Sequence, residues 1–544
     1  MTLLNAQYAA PPEAYARIDA FAAGHAGPAS LPAWSVFLRE AFHIDLSLDA
    51  DIVNSCLTDS SNLPARAEAL ARPATAAHAA LILHACAKAG IPVTLSGGRS
   101  NLTGSASAEG GLILSFARML LPEPAVNEAD RTVLAPVGMI LEDLRNRVLL
   151  EADRRLFFPV DPTSRADATV GGCLACNASG FIPGEAGAIR RWVRELDVLT
   201  PDGFLVRATR GQYVSENGLF ELRRPDGTVV SIPVPRYARP AIKNASGPWS
   251  APDGRLDFLD LIIGSEGIFG VVTQAVLQLD PSPRDRLDLF LSLPSESAAL
   301  ALRAALAERA PGGLAGLSAL EYFGVNCRRF MNHESTLFHG TDPVAVYIQA
   351  PLPDRLAADA AEEWLALLEK AACGVNLDAV MLLDNERDRA LFMDARHSMP
   401  AHAVELVQRR GTFTLMTDTV VPPARFADFL EDAHALIRRE TLDYLTFGHL
   451  GDCHLHITLL PEKDQVAAAA AVYDRIVDLS AARGGVYSGE HGTGKRKRAD
   501  FLKCYGPGAA EQIRRCKAAL DPLFLLNRGN VVEPEGERPR EPHG

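Results

Sequence analysis

The stretch Phe447-Gly-His-Leu-Gly-Asp-Cys-His-Leu-His456, with the later Ser488-Gly-Glu-His-Gly492, narrows the folds open to this chain more than any other feature. It gathers His449, His454, His456, Glu490 and His491 into two short segments of a protein with 14 histidines. Neutral imidazoles and one carboxylate form a usual ligand set for a catalytic divalent ion that keeps open positions. A fold that uses them must bring the end of one strand against a turn from a later segment. If residues 453–460 form a strand, His454 and His456 point to one face, and a glycine-rich turn lets His449 fold back over that face. The alternative on these residues alone is a strand end carrying surface imidazoles.

Two glycine clusters lie upstream. Pro92-Val-Thr-Leu-Ser-Gly-Gly-Arg-Ser-Asn-Leu-Thr-Gly104 follows a helix-like run over 79–89 and leads to a strand-like run over 111–115. Consecutive glycines let backbone N–H groups approach a ligand and form an anion nest. Phe158-Pro-Val-Asp-Pro-Thr-Ser164 and Ala168-Thr-Val-Gly-Gly-Cys-Leu-Ala-Cys-Asn-Ala-Ser-Gly180 make a second such region. Neither is the dinucleotide fingerprint or a P-loop, and each alone reads equally as a tight turn.

At 544 residues and 48% apolar, the chain can bury a large core, and its length predicts two or three domains. A net charge of -13 argues against nonspecific nucleic-acid binding. The basic run Lys495-Arg-Lys-Arg498 is too short to outweigh it and reads as a solvated helix face. No signal-peptide pattern opens the chain, and no stretch approaches the roughly 18 apolar residues needed to span a bilayer. A soluble, cytoplasmic protein is expected, with at most peripheral contact at the inner membrane face. Nine cysteines at irregular spacing argue against a disulfide framework, and Cys173-Leu-Ala-Cys176 reads as packing rather than a redox or zinc pair.

Periodicity predicts helices over 32–42, 297–309, 354–371 and 463–482 and strands over 287–293 and 345–350. Residues 1–50 read as a helical extension, 51–281 as alternating helices and short strands with a polar insertion at 211–255, and 282–520 as a second α+β unit. Residues 534–544 are charged and Pro-rich, and are expected to be disordered.

Taken in order, these segments resemble the flavin-linked oxidases and dehydrogenases of the vanillyl-alcohol oxidase type, in their D-lactate and D-2-hydroxyglutarate dehydrogenase branch. Lys243-Asn-Ala245, Ile263-Gly-Ser-Glu-Gly-Ile-Phe-Gly-Val-Val-Thr273, Arg396 in Asp-Ala-Arg-His, Thr417-Asp-Thr-Val-Val-Pro422 and Asn527 in Asn-Arg-Gly-Asn-Val extend the match from Asp49 to Val532. The resemblance implies an α+β fold: a two-subdomain FAD-binding domain over 51–281, an α+β cap or substrate domain over 282–520, and a segment over 521–533 returning to the flavin. It implies that Ser96, Gly97, Gly98, Arg99, Ser100, Asn101 and Gly104 wrap the FAD pyrophosphate. Pro159, Thr163, Ser164, Thr169, Gly172, Asn177, Ser179 and Gly180 would line the flavin and ribityl chain. Glu266, Gly267, Ile268 and Val271 would close over the adenine side, and Asn527 would reach the flavin. Arg99 stands where some covalent relatives carry a flavin-linking histidine, which implies noncovalent FAD.

The resemblance further implies that His449, His456 and Glu490 bind a divalent metal, zinc or manganese, that His491 is the catalytic base, and that Arg396 clamps a substrate carboxylate. The implied reaction is oxidation of a D-2-hydroxy acid to the 2-oxo acid by hydride transfer to flavin N5, with a quinone, cytochrome or electron-transfer flavoprotein as acceptor. The alternative is an alcohol or aldehyde oxidase, or an alkyl-transfer enzyme, on the same scaffold. Two positions depart from the pattern. Cys453-His454 replaces the usual Gly-Asn, leaving His454 as a fourth ligand, a catalytic substrate contact, or a polar replacement without a role. Met416 replaces a lysine of the hydroxyglutarate enzymes, which points to a monocarboxylic, lactate-like substrate.

Overall fold

A computed structural model describes residues 2–371 and 374–533; the expected tail over 534–544 lies outside them. In the first half, a four-stranded sheet runs in the order Leu46–Ser47, Ala69–Ala71, Leu112–Ser115, Val93–Ser96, with its last three strands parallel. Helix Ala76–Ala89 links Ala69–Ala71 to Val93–Ser96 in the crossover that parallel strands require. Thr75 caps its first turn and Gly90, at φ +68, closes its last. Helices Pro12–Ala22 and Leu31–Phe42 bury Ile18, Trp34 and Leu38 in the same core.

Beside it stands a five-stranded antiparallel sheet in the order Leu205–Thr209, Val193–Leu199, Val271–Gln278, Thr132–Pro136, Ala125–Asn127. Val271–Gln278 alternates buried and half-buried residues, the period-two pattern of a strand with one face in a core. The short helix Val170–Cys176 packs on this sheet. That placement sets the second glycine cluster against the loop that follows Val93–Ser96.

The second half is organised on a seven-stranded sheet: Met381–Leu382, Asp285–Leu293, Val344–Leu352, Ala319–Phe323, Tyr444–His449, His454–Leu459, Leu415–Met416. Residues 287–293 are buried without alternation because both faces are covered. Helices Glu296–Arg309, Ala357–Lys370, Phe426–Arg439 and Val466–Ala482 contribute to one core, and the 25-residue helix Glu386–Arg410 to another that also holds Phe290 and Phe323. The chain then passes through Arg498–Leu520, kinked at Gly506, and returns to the first sheet, where Leu526 bridges to Val93.

Three expectations are corrected. The first 50 residues are not purely helical: Thr2–Asn5 is a strand that pairs in parallel with Leu219–Arg223 inside the polar insertion. The 354–371 helix begins only at Ala357. The run Lys495–Arg498 is not a solvated helix face. It forms a turn on Thr103, whose carbonyl accepts the N–H groups of Lys495 and Arg496 at 2.9 and 3.0 Å. Lys497, 5% exposed, is thereby turned inward to Asp418 at 3.2 Å. A local charge run carries no information about a buried acid from a distant segment. No helix among the described residues is long and apolar enough to cross a membrane.

Candidate active site

A cleft of about 460 Å³ is lined by both glycine clusters and by His449, Glu490 and His491. Its size is that of a small-molecule site. A Cβ on Gly98 would come within 1.9 Å of the Asp167 carbonyl oxygen, so only glycine lets the two loops close on each other. Arg99 takes φ +61, and the N–H groups from Gly98 to Leu102 donate to no protein acceptor among the described residues. Successive free N–H groups around a left-handed residue make an anion nest, the chemistry a pyrophosphate needs. The Ser179 hydroxyl, buried without a partner, is on the same wall. These features fit FAD.

Asn177, Glu266 and Asn527 also adopt left-handed backbone, at φ +49, +53 and +46. Non-glycine residues persist there only when their surroundings fix them. Asn527 is fixed on both sides: Leu95 N–H donates to its Oδ1 and its Nδ2 donates to the Glu266 carbonyl, each at 2.7 Å. The Glu266 carboxylate accepts from the Ser105 hydroxyl and from the N–H groups of Thr493 and Gly494 at 2.7 Å. It therefore ties the nest to the turn that carries Glu490 and His491.

His449 ends one strand of a hairpin and pairs in register with His454 on the next. His456 follows on the same strand, its ring centroid 4.7 Å from that of His454. Glu490 enters beneath them, where a Cβ on Gly489 would meet the His454 ring at 2.7 Å. One Glu490 oxygen lies 3.2 Å from His449 Nε2 and the other 3.2 Å from His456 Nε2. Outward-facing nitrogens are tied down. His449 Nδ1 donates to Glu321 at 2.7 Å, and His456 Nδ1 to the Thr417 carbonyl at 3.3 Å. Ligand histidines are oriented by this kind of contact, which leaves Nε2 inward. One ligand atom from each of His449, His454, His456 and Glu490 lies within 4.8 Å of the others, as do atoms of Asp418, His456, Glu490 and His491. The donor set fits a divalent ion.

Asp418 is wholly buried. It accepts from Ser488 Oγ at 2.6 Å, His454 Nε2 at 2.8 Å, His491 N–H at 3.0 Å and Lys497 Nζ at 3.2 Å. Burial alone would raise its pKa, but His491 and Lys497 hold it well below the ordinary value. His491 stacks on His456, centroids 5.4 Å apart, with Nδ1 3.4 Å from Asp418. Burial, opposed by Asp418, pushes the His491 pKa down to about 4, so the imidazole is neutral near pH 7. Burial also disfavours charge on His449, yet Glu321 and Glu490 outweigh it and raise its pKa to about 9. A cation bound there would take the place of that proton. Burial opposes charge on Glu490 too, but Lys243 at 3.2 Å and His449 hold its pKa well below the ordinary value.

The nest and ribityl residues named from the sequence line the cleft, except Gly104, Pro159, Asn177 and Ile268. Those four support the wall from behind. Gly104 accepts from Lys495 Nζ, Asn177 caps Val170–Cys176, and Pro159 and Ile268 are buried. Among the cluster residues, His454 and His456 lie behind the wall rather than on it. Arg396 is largely buried, its side chain 14% exposed. Its guanidinium lies 4.3 Å from the ring centroid of the cleft residue Phe181 and pairs with Glu321 at 3.3 Å. Glu321, Lys243, Asp418 and Lys497 are the participants to which the sequence assigned no role. Glu321 carried a signal: it is one carboxylate in the otherwise apolar Ala-Leu-Glu-Tyr-Phe strand, which demands a partner.

Residues 67–209 match the FAD binding domain family, and residues 289–531 match the FAD linked oxidases, C-terminal domain. A D-2-hydroxyglutarate dehydrogenase of Xanthomonas citri pv. viticola is 30% identical over 457 residues, 81% of this chain and 84% of that protein. A D-lactate dehydrogenase of Anaerostipes hadrus is 27% identical, covering 86% and 90%. The fold superposes on a 4-ethylphenol oxidase from Gulosibacter chungangensis with a TM-score of 0.62, at 16% identity, over 97% of this chain and 99% of that one. With the nest, the cleft and the collinear match in hand, the chain belongs to the FAD-linked oxidases and dehydrogenases of the vanillyl-alcohol oxidase type, in the D-lactate and D-2-hydroxyglutarate dehydrogenase branch.

Proposed function

We propose that this protein oxidises a D-2-hydroxy acid to the 2-oxo acid, using noncovalent FAD and a divalent ion held by His449, His456 and Glu490. The observation that carries the reading is that His449, Glu490 and His491 share one cleft with the Gly98 nest. When bound, FAD supplies a hydride acceptor and the ion a Lewis acid that lowers the pKa of the substrate hydroxyl. His491, neutral and oriented by Asp418, takes the hydroxyl proton. Arg396 provides charge for the substrate carboxylate: Glu321 engages one of its nitrogens, and a guanidinium has five N–H donors. Enclosure of His491 on the cleft wall limits the water that competes for that proton.

The preference for a monocarboxylic substrate rests on Met416, one residue before the Thr417 carbonyl that holds His456. An anionic tail set against a thioether loses hydration without a paired cation. We read residues 51–281 with the returning 521–533 as the flavin unit and 282–520 as the substrate unit. The electrons then pass to a quinone, a cytochrome or an electron-transfer flavoprotein.

The test is anaerobic mixing of the purified yellow protein with a panel of 2-hydroxy acids while the flavin absorbance is followed. D-lactate and D-acids with apolar tails should bleach the flavin faster than D-2-hydroxyglutarate or D-malate. The function is refuted if no D-2-hydroxy acid bleaches it, or if L enantiomers do so as fast. Faster dicarboxylates would overturn the tail preference alone. Flavin should leave with acid precipitation; fluorescence retained on the denatured chain would refute noncovalent attachment.

A further inference from the structure

Around the proposed ion site, each inward-facing imidazole has one nitrogen fixed by an oxygen acceptor: His449 by Glu321, His456 by the Thr417 carbonyl. His454 is built the same way. Its Nε2 donates to Asp418 at 2.8 Å, which makes Nδ1 the lone-pair nitrogen of a neutral ring. That Nδ1 is buried and has no hydrogen-bond partner, and the residue is 0% exposed. A buried acceptor left unmet is unfavourable, and a nearby cation would offset that cost. His454 also supplies an atom within 4.8 Å of those offered by His449, His456 and Glu490.

We infer that His454 is a third imidazole ligand, so that the divalent ion sits in a three-histidine, one-carboxylate set with Asp418 and Glu321 as the carboxylates that orient two of the rings. This rests on the divalent ion proposed above. The consequence is a more nitrogen-rich site, which favours zinc or cobalt over the oxygen-preferring ions.

The test uses the full chain with FAD, stripped of metal by a chelator and reloaded with Co²⁺. X-ray absorption at the cobalt edge counts imidazoles by their multiple scattering. Three are expected in the wild type and two in His454→Asn, whose amide can still donate to Asp418. Equilibrium dialysis should show Co²⁺ affinity falling at least about 10-fold in that variant. A wild-type count of two imidazoles overturns the assignment of His454 while leaving the ion in place. So does a His454→Asn protein that binds Co²⁺ as tightly with the same spectrum. A wild type that binds no stoichiometric cobalt overturns the ion itself, and His454 with it.

Discussion

Replacing Asp418 by Asn keeps the size of the side chain and removes its charge. In the native arrangement the carboxylate accepts from Ser488, His454, the His491 N–H and Lys497, all within 3.2 Å. Lys497 is 5% exposed, so the substitution leaves an ammonium ion buried with its charge partner gone. Removing one partner of a buried pair costs about 3–5 kcal/mol. For a cooperative unit of roughly 150–250 residues each kcal/mol moves Tm by about 2–4 °C, so a fall on the order of 10 °C is expected. Thermal melts of the FAD-bound protein read it directly. The control is Asp418→Asn combined with Lys497→Met, which removes the stranded charge and should recover at least about 2 kcal/mol relative to the single variant. The sign of the pH dependence is fixed by the depressed pKa of Asp418. Its contribution is complete above the ordinary value of 3.8 and is lost as the pH falls below it toward the folded value, so the gap between wild type and variant closes in acid. A variant that melts with the wild type at neutral pH, or a double variant no more stable than the single, would refute the reasoning.

His491→Ala should keep FAD and metal while flavin reduction falls by roughly 10² to 10⁴, and Glu490→Ala should lose metal as well; rapid-mixing absorbance and elemental analysis distinguish them. Gly98→Ala should release FAD, because its Cβ meets the Asp167 carbonyl oxygen at 1.9 Å and forces the nest open; flavin content after gel filtration reads this. Asp500 is buried, and burial raises its pKa from 3.8 to about 6, so the charged form costs about 3 kcal/mol at neutral pH. Asp500→Asn, which can still accept the Tyr473 hydroxyl, should therefore stabilise the protein at pH 7, with the gain vanishing below pH ~4 in a denaturant titration.

The parts of the site that sequence reveals are those carried on one short segment. The two-residue spacing of His454 and His456 places them on one strand face, and the double glycine at 97–98 marks where two backbones close on each other. What spacing cannot show is which distant side chain occupies the space between. Asp418 comes from the residues after the edge strand Leu415–Met416, Lys497 from a turn ahead of the last long helix, and Glu321 from the strand beside His449. The Lys495–Arg498 run hides its role for that reason: its four charges look alike in sequence, yet Lys497 is deeply buried and Arg496 is exposed. Arg396, expected to clamp a substrate carboxylate, also stacks on Phe181, a contact between residues 215 positions apart that no local pattern announces.

The bond between Leu95 and Asn527 joins residues 432 positions apart, and Asn527 also holds the left-handed backbone at Glu266. The binding wall is thus finished by almost the last stretch of described chain to leave a ribosome. Until residue 527 has emerged, the Leu95 N–H and the Glu266 carbonyl lack the amide that joins them, so the proposed flavin seat is incomplete in an elongating chain. Closing a contact of such length is slow. On the proposed function, flavin capture comes late in the life of each molecule, and chains cut short before Asn527 should accumulate as colourless protein, open to proteolysis along the Gly97–Gly104 loop.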